Sequence, residues 1–499
     1  MLLGIDVGTS SVKAILFDPD GARLLATAAH EYPIHHPAPD RAEQNPEDWW
    51  NGAVFAVRKA MNSAGIKPED VQAIGLCGQM HGVTLLDANA APIGNAIIWA
   101  DQRSAAETAA LIERFGAENL AHIAGTLPAA GFMISTLSWM QKYDPRPLET
   151  ARAVVLPKDY VRLKLTGEIA TDISDAAATG LFDVLLKTWS AQIIHELGLP
   201  RGLFPSALES SALAGRLTVQ AAETLGLKAG IPVAAGSADQ PAQGLANGII
   251  APGQASVTIG SGGQVFTPIM PSANGTLTLK TDPRLHVFNH AVPGMWYVLG
   301  AILSAGLSLR WLRDLLGTDY PSLSAAAERV PAGANGLLFL PYLSGERTPH
   351  MDAYARGGFI GLTHYHGRGH MARAIMEGVA FAMHEALDIS LSLGGQAERV
   401  IAAGGGADSD VWRHILADVF GVPLQRSLLT ELTGIGAALL GGISAGVYAN
   451  AQEAASTARY GAITEPDATR HAHYESLYRE YQALYPRLKD SFHQLSALE

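Results

Sequence analysis

One pattern constrains this chain more than any other, because it occurs twice. Leu2 to Ile5 and Val12 to Phe17 are largely apolar runs flanking a short polar centre, Gly8-Thr9-Ser10-Ser11. Such an arrangement predicts two strands folded back on each other around a tight turn. The pattern returns at Ala255 to Pro268, where the turn reads Gly260-Ser261-Gly262-Gly263. Two similar hairpins suggest an internal duplication, with two related domains facing one cleft. Gly4 and Gly8 would let backbone approach a ligand closely. Thr9, Ser10 and the turn N–H groups are donors suited to phosphate oxygens, and the Asp6 carboxylate can face a divalent cation. Taken alone, the first stretch is equally an ordinary hairpin whose Asp satisfies its own turn.

Composition narrows the class. At 499 residues the chain is long enough for two or more domains. Apolar content of 48%, 16% charged residues and 52 glycines suit a compact α/β protein. A net charge of −12 argues against a nucleic-acid or anionic-membrane surface, so an anionic substrate needs local donors and Mg²⁺. The single cysteine, Cys77, lies in a strand-like apolar run and reads as buried filler; it leaves no intrachain disulfide. The N-terminus lacks a basic segment and meets Asp6 at once, unlike a signal peptide. Leu432 to Gln452 carries no charge, but its five glycines and many alanines predict a small-residue helix against a sheet rather than a membrane span. The expectation is a cytoplasmic protein.

In chain order, Asp18-Pro19-Asp20-Gly21 predicts a turn and Ala22 to Tyr32 a third strand. Asn45-Pro46-Glu47-Asp48 opens a helix, with Asn as cap, Pro in the first turn and Gly65 beyond the end. Val71 to Leu76 is a strand running into Gly78-Gln79-Met80-His81-Gly82. Ser104 and Glu107 read as a capping box for a helix ending near Gly116. Ile231 to Ala235 is a buried strand flowing into Gly236-Ser237-Ala238-Asp239. Met371, Ile375, Val379, Met383 and Leu387 recur every four residues, the core stripe of a long helix ending at Gly394-Gly395. Val400 to Ala403 is a buried strand entering Gly404-Gly405-Gly406-Ala407, and Asp408 to Phe420 a helix. From about His471 an aromatic and leucine stripe, interrupted by Pro486, reads as a packing helix.

Together these elements read as a nucleotide site with an acid beside it. Phosphoryl transfer needs donors for the transferred oxygens, Mg²⁺ to offset charge, and a base to take a hydroxyl proton. The hairpins supply donors, Asp6 can hold the metal directly or through water, and Asp239 can be the base. Gly404 to Ala407 leaves room for a planar base or ribose at a strand's carboxyl end, although triple glycine is also common packing punctuation. It does not fit the GxxxxGK[ST] pattern, so this is not a P-loop. Gln79-Met80-His81 offers an amide, an imidazole and a flat apolar wall, suited to a polyhydroxylated sugar; a lone His is also often structural.

At these residues the chain resembles the FGGY carbohydrate kinases, a branch of the actin-like (ribonuclease H-like) ATPase superfamily, and within them the bacterial xylulokinases. The resemblance runs from Gly4-Ile5-Asp6-Val7-Gly8-Thr9-Ser10 to about Gly446. Its more specific matches are Gly78 to Gly82, Leu156-Pro157-Lys158-Asp159-Tyr160, and the stretch Leu340 to His350 (LPYLSGERTPH); Gly358 to Glu377 fits the family's second signature. The resemblance implies an α/β fold of two actin-like ATPase domains facing a central cleft, residues 1–245 on the sugar side and 246–499 on the nucleotide side. It implies ATP-dependent, Mg²⁺-assisted phosphorylation of a ketopentose, D-xylulose to D-xylulose 5-phosphate, or of another ketose or polyol; a non-catalytic sensor on the same fold is the rival from another class. By position Asp239 matches the catalytic base. Gln79, Met80, His81 and Gln240 fall on the sugar side with it. Asp6 matches the metal-associated acid. Gly8, Thr9, Ser10, Lys13, Gly260, Ser261 and Gly262 match the phosphate-facing hairpins, and Gly404, Gly405, Gly406 and Ala407 the adenosine-side loop. The implied partners are ATP and the sugar, with a homodimer as the expected assembly and no nucleic acid or membrane. Three positions depart from the xylulokinase pattern: Gln240 stands where Asn is usual, Gly262 replaces a hydroxyl residue, and Thr136 replaces a Lys.

Overall fold

The computed structural model describes residues 1–270 and 278–498. The first apolar runs become strands β1 (Leu2–Val7) and β2 (Ser11–Asp18), followed by β3 (Arg23–Glu31) in an antiparallel meander. All six side chains of β1 are buried, as a central strand requires. Helix α1 (Pro46–Ala64) starts where Asn45 accepts from the Glu47 N–H at 3.1 Å. It stops at Gly65, whose φ of 63° is the left-handed region that favours glycine. It leads to β4 (Ala73–Gly78), which runs parallel to β1 with Asp6 opposite Cys77.

Helices α2 (Ala105–Phe115) and α3 (Pro157–Thr166) precede β5 (Leu213–Arg216), β6 (Pro232–Ala234) and the short β7 (Ser237–Ala238), which completes the first sheet beside β4. Its order is β5-β6-β4-β1-β2-β3. Helix α4 (Asp239–Ala246) then leaves its carboxyl edge.

The second sheet repeats the plan. β8 (Gln254–Ile259) and β9 (Gly263–Ile269) form the second hairpin, joined by β10 (His286–Asn289) and β11 (Trp296–Ile302). Helices α5 (Gly306–Leu316), α6 (Tyr320–Glu328) and α7 (Arg368–Ser392) lead to β12 (Arg399–Ala403), parallel to β8 as β4 is to β1. After α8 (Asp410–Phe420) come β13 (Leu424–Ser427), α9 (Leu432–Ser444), β14 (Tyr460–Thr464) and α10 (Ala468–Ser496). In both sheets a hairpin and a third antiparallel strand sit beside parallel strands entered through a helix. This is the duplication that the two turns announced.

Helix α9 belongs to the second half but packs on the first sheet. Methyls on Gly4 and Gly75 would overlap the Gly434 and Ala437 carbonyl oxygens, and one on Gly434 would overlap Ile15. Gly4 therefore admits a helix backbone, not a ligand as expected from the sequence. Cys77 is buried against the same helix, its thiol donating to the Thr433 carbonyl at 3.2 Å. No helix of the described residues is long and apolar enough to cross a membrane.

One local reading needs correction. Ser104 does precede α2, but its hydroxyl accepts from the Gly131 N–H at 3.3 Å, and Glu107 accepts from Lys142 at 3.3 Å. Tertiary partners displace the capping box. The packing helix stands: Pro486 lies inside a continuous α10. Tyr474, Tyr478 and Tyr481 anchor α10 to the second core, with the Tyr474 hydroxyl on Glu377 at 2.7 Å.

Candidate active site

Three parallel strands end side by side. Asp6 pairs with Cys77 across β1 and β4, and Ser237 pairs with Cys77 across β7 and β4. One step further on, Val7 and Ala238 both flank Gly78. The residues that leave this edge are Gly8, Gln79 and Asp239, the place where α/β sheets bind ligands. The register thus brings Asp6, the Gln79-Met80-His81 run and Asp239-Gln240 together.

Asp239 opens α4 and is half-buried, with its Oδ1 itself buried and unpartnered among the described residues. Burial first, and the charge of Asp6 second, push its carboxyl up to about 7, while the neighbouring Gln240 groups pull it down. A buried carboxylate near neutrality is a competent proton acceptor. Asp6 is buried too; burial raises its proton affinity, and the Thr433 hydroxyl, donating to Oδ2 at 2.5 Å, is the first influence against it.

His81 adopts φ 72°, a conformation costly for a residue with a Cβ. Its ring stacks on Phe132, centroids 3.8 Å apart, and Nδ1 lies 2.6 Å from the Ala178 carbonyl oxygen. A carbonyl only accepts, so Nδ1 carries the proton. Burial pushes the ring down to about 3, and the Arg347 charge also lowers it, so His81 is neutral with Nε2 as an acceptor. Arg347 lowers His286 as well, and Thr126 bonds His286 at 2.7 Å behind Phe132. Met80 lies in the apolar cluster that includes Phe132 and Met133.

Gln79 turns elsewhere. Its Nε2 donates to Gln44 Oε1 at 2.9 Å and reaches the Gly8 carbonyl at 3.4 Å. Gln44 in turn donates to the Thr9 carbonyl at 2.7 Å, and the Trp99 indole donates to the Thr9 hydroxyl at 2.9 Å. Tyr32 donates its hydroxyl to the Gly8 carbonyl. The first turn is thus held by side chains from four other segments, leaving Ser10 exposed. Lys13 pairs with Glu431 at 2.7 Å.

The second turn borders a cavity of about 670 Å³, within the range of small-molecule sites. Gly260, Ser261, Gly405 and Gly406 line it. A methyl on Gly262 would crowd the Ile302 carbonyl, and one on Gly404, at φ 80°, the Ile259 carbonyl. Ala407 is buried within the short helical turn that follows. Arg310, Tyr320 and Ser324 also line the cavity, and sequence reasoning missed them. They stand on α5 and α6, whose facing depends on how two helices cross the second hairpin.

A second omission lies beneath Asp239. Lys158 is fully buried and bonds Asp159, Asp172 and Asp175 at 2.7, 2.9 and 3.2 Å. Asp172 accepts from the Ser174 hydroxyl at 2.6 Å, and Ser174 accepts from the Ala238 N–H at 3.1 Å. The Lys158-Asp159 pair of the sequence match is therefore a charged platform under the strand that delivers Asp239. Burial and neighbouring carboxylates push Asp175 up, while its neighbours hold Lys158 protonated.

The described residues hold no cluster of three metal-ligating side chains. Mg²⁺ takes one or two carboxylates and completes its shell with water and phosphate oxygens. Asp6, a single carboxylate whose charge is felt by Asp239, is the residue that could hold it.

Comparison with known proteins agrees with this layout. Residues 1–245 match the N-terminal domain, and 262–445 the C-terminal domain, of the FGGY family of carbohydrate kinases. A xylulose kinase of Escherichia coli is 37% identical over 98% of this chain and 99% of its own length. One from Bacillus subtilis is 33% identical, covering 98% and 97%. The crystal structure of xylulose kinase from Rhodospirillum rubrum superposes with a TM-score of 0.90 at 32% identity, covering 99% of both chains. Two sheets built on one actin-like plan, and relatives matched almost end to end, place this chain in the FGGY family of carbohydrate kinases, which are phosphotransferases with an alcohol group as acceptor.

Proposed function

We propose that this kinase transfers the γ-phosphoryl group of ATP to the 5-hydroxyl of D-xylulose. The observation that carries the reading is Asp239: a carboxylate with a buried, unpartnered oxygen and a proton affinity near neutrality, delivered by three parallel strands to the sheet edge from which the run to His81 also leaves. Asp239 accepts the hydroxyl proton as the sugar oxygen bonds to the γ-phosphorus. The bond to the β–γ bridging oxygen breaks, and ADP leaves. His81 Nε2 accepts from a sugar hydroxyl, while Met80 and Phe132 present the apolar wall. The nucleotide lies in the cavity between Gly260-Ser261 and Gly405-Gly406. Thr9 and Ser10 face the phosphates, with Lys13 available to them from its pair with Glu431. Asp6 holds Mg²⁺ directly or through water, and that charge offsets the negative phosphate oxygens.

Gln240 favours a second reading within the same chemistry. It is one methylene longer than the Asn of the xylulokinase pattern, which favours another ketose or a polyol. ADP release across D-xylulose, D- and L-ribulose, L-xylulose, erythritol, xylitol and glycerol separates the two. D-xylulose should lead in kcat/KM by about tenfold or more, about 1.4 kcal/mol of transition-state binding. A lead by another sugar transfers the assignment to that sugar; no sugar-dependent ADP release overturns both readings.

A further inference from the structure

We propose that Thr433, contributed by the second half of the chain, is a positioning residue that sets the orientation of the Asp6 carboxylate toward the divalent cation. This rests on the metal role of Asp6 in the reading above. The Thr433 hydroxyl donates to Asp6 Oδ2 at 2.5 Å, across 427 residues of sequence. Its carbonyl accepts from the Cys77 thiol at 3.2 Å, so Thr433 is pinned from both sides. Cys77 is the β4 neighbour of Asp6 in register, so both contacts fall on one rung of the sheet.

The same rung holds a second tie. Lys13, the β2 partner of Asp6, bonds Glu431 at 2.7 Å, and Glu431 caps α9 in the left-handed conformation, φ 56°. The first turn of α9 is thus fastened to the β1–β2 hairpin at Asp6 itself. Further along, α9 touches backbone on two fronts. Gly434 leaves no room beside β1 and β2, and a methyl on Gly436 would overlap the Ala242 carbonyl of α4, the helix that begins with Asp239. One helix therefore spaces the two carboxylates and, through Thr433, turns one of them. A carboxylate rotates about a single bond, and a hydroxyl fixed on a rigid helix removes that freedom before the cation arrives.

The test compares Thr433→Val, which keeps shape and loses the hydroxyl, with Thr433→Ser, which keeps the hydroxyl. Mn²⁺ is titrated onto the enzyme–ADP complex, and the free ion is read by electron paramagnetic resonance, without turnover. Thr433→Val should weaken Mn²⁺ binding about tenfold, about 1.4 kcal/mol, with Thr433→Ser within about twofold of wild type. The Mg²⁺ concentration for half-maximal rate should rise in parallel, while ADP affinity without metal stays unchanged. Thr433→Ala replaces the Val variant should branching disturb α9. Unchanged Mn²⁺ affinity in the hydroxyl-free variant, or an equal loss in Thr433→Ser, overturns the proposal. Asp6→Ala separates the levels: if it also leaves Mn²⁺ affinity unchanged, the metal role of Asp6 itself falls.

Discussion

The two hairpin turns share a topology and differ in what holds them. The first, Gly8-Thr9-Ser10, adds side chains to its backbone bonds (Gly8 N–H to Ser11 O at 3.1 Å, Tyr32 N–H to Ser10 O at 3.2 Å): Gln44 and Trp99 on Thr9, Tyr32 and Gln79 on Gly8. The second, Gly260-Ser261-Gly262, is held by backbone. Gly260 donates to Gly262 O at 2.9 Å, and the Gly306 and Leu307 N–H groups at the start of α5 donate to Gly260 O and Ser261 O at 2.9 and 3.0 Å. Backbone contacts tolerate sequence change, which explains how the second turn reads Gly-Ser-Gly with one hydroxyl fewer. Side-chain contacts do not. The first turn also sits at the sheet edge that carries the buried Asp6 and the half-buried Asp239, whereas the second borders the large cavity. On the proposed function, one copy of the duplicated unit serves the chemistry and the other the grip on the nucleotide.

The largest expected break in that comparison is Asp239→Ala. Losing a general base should lower kcat by about two to four orders of magnitude, with the folded circular-dichroism spectrum retained. Near-normal turnover would remove Asp239 from the chemistry. The pH profile sharpens the point. With the Asp239 carboxyl up at about 7, kcat/KM should rise with pH through that value. The folded protein binds this proton more tightly than the unfolded chain, so between about 3.8 and about 7 stability falls as pH rises. Asp239→Asn should therefore melt above wild type at about pH 8 and converge with it at about pH 4. A gap that does not vary with pH would contradict the assigned proton affinity.

Next in size is Gly4→Ala. Its methyl meets the Gly434 carbonyl, and forcing α9 outward should cost about 1–3 kcal/mol or more in urea unfolding. By contrast Gly405→Ala, in the glycine loop after β12 where a methyl would meet nothing, should leave stability unchanged. Gln44→Ala releases the first turn and strands the Trp49 indole and the Gln79 amide, for about 1–3 kcal/mol. It should also raise KM for ATP. Smallest is Ser261→Ala: one neutral hydrogen bond, about 0.5–1.5 kcal/mol, or about a tenfold rise at most in KM for ATP.

Much of this architecture was legible because local chemistry and tertiary structure agree. The Asn45 cap, the Gly65 stop, both hairpins and the core stripe of α7 stand as their residues predict. Disagreement arises where a distant group competes for a local one. Ser104 looks like a cap until Gly131 takes its hydroxyl. Gly4 looks like a ligand contact until α9 arrives with its carbonyls. Gln79 looks like a sugar contact; its Nε2 is engaged by Gln44 and the first turn, and its Oε1 has no partner among the described residues.

What the sequence determined by itself was the list of parts: two polar turns between apolar strands, an acid after each of two buried runs, and a glycine-rich loop. Period and turn chemistry are local, so they survive being read one residue at a time. Only the tertiary structure decided which parts meet. Parallel register set Asp6, Gln79 and Asp239 on one edge, burial moved Asp239 toward neutrality, and a helix from the far half placed Thr433 on Asp6. These are properties of pairs separated by hundreds of residues. Proton affinity and carboxylate orientation depend on what surrounds a group, and that is created when the chain closes on itself.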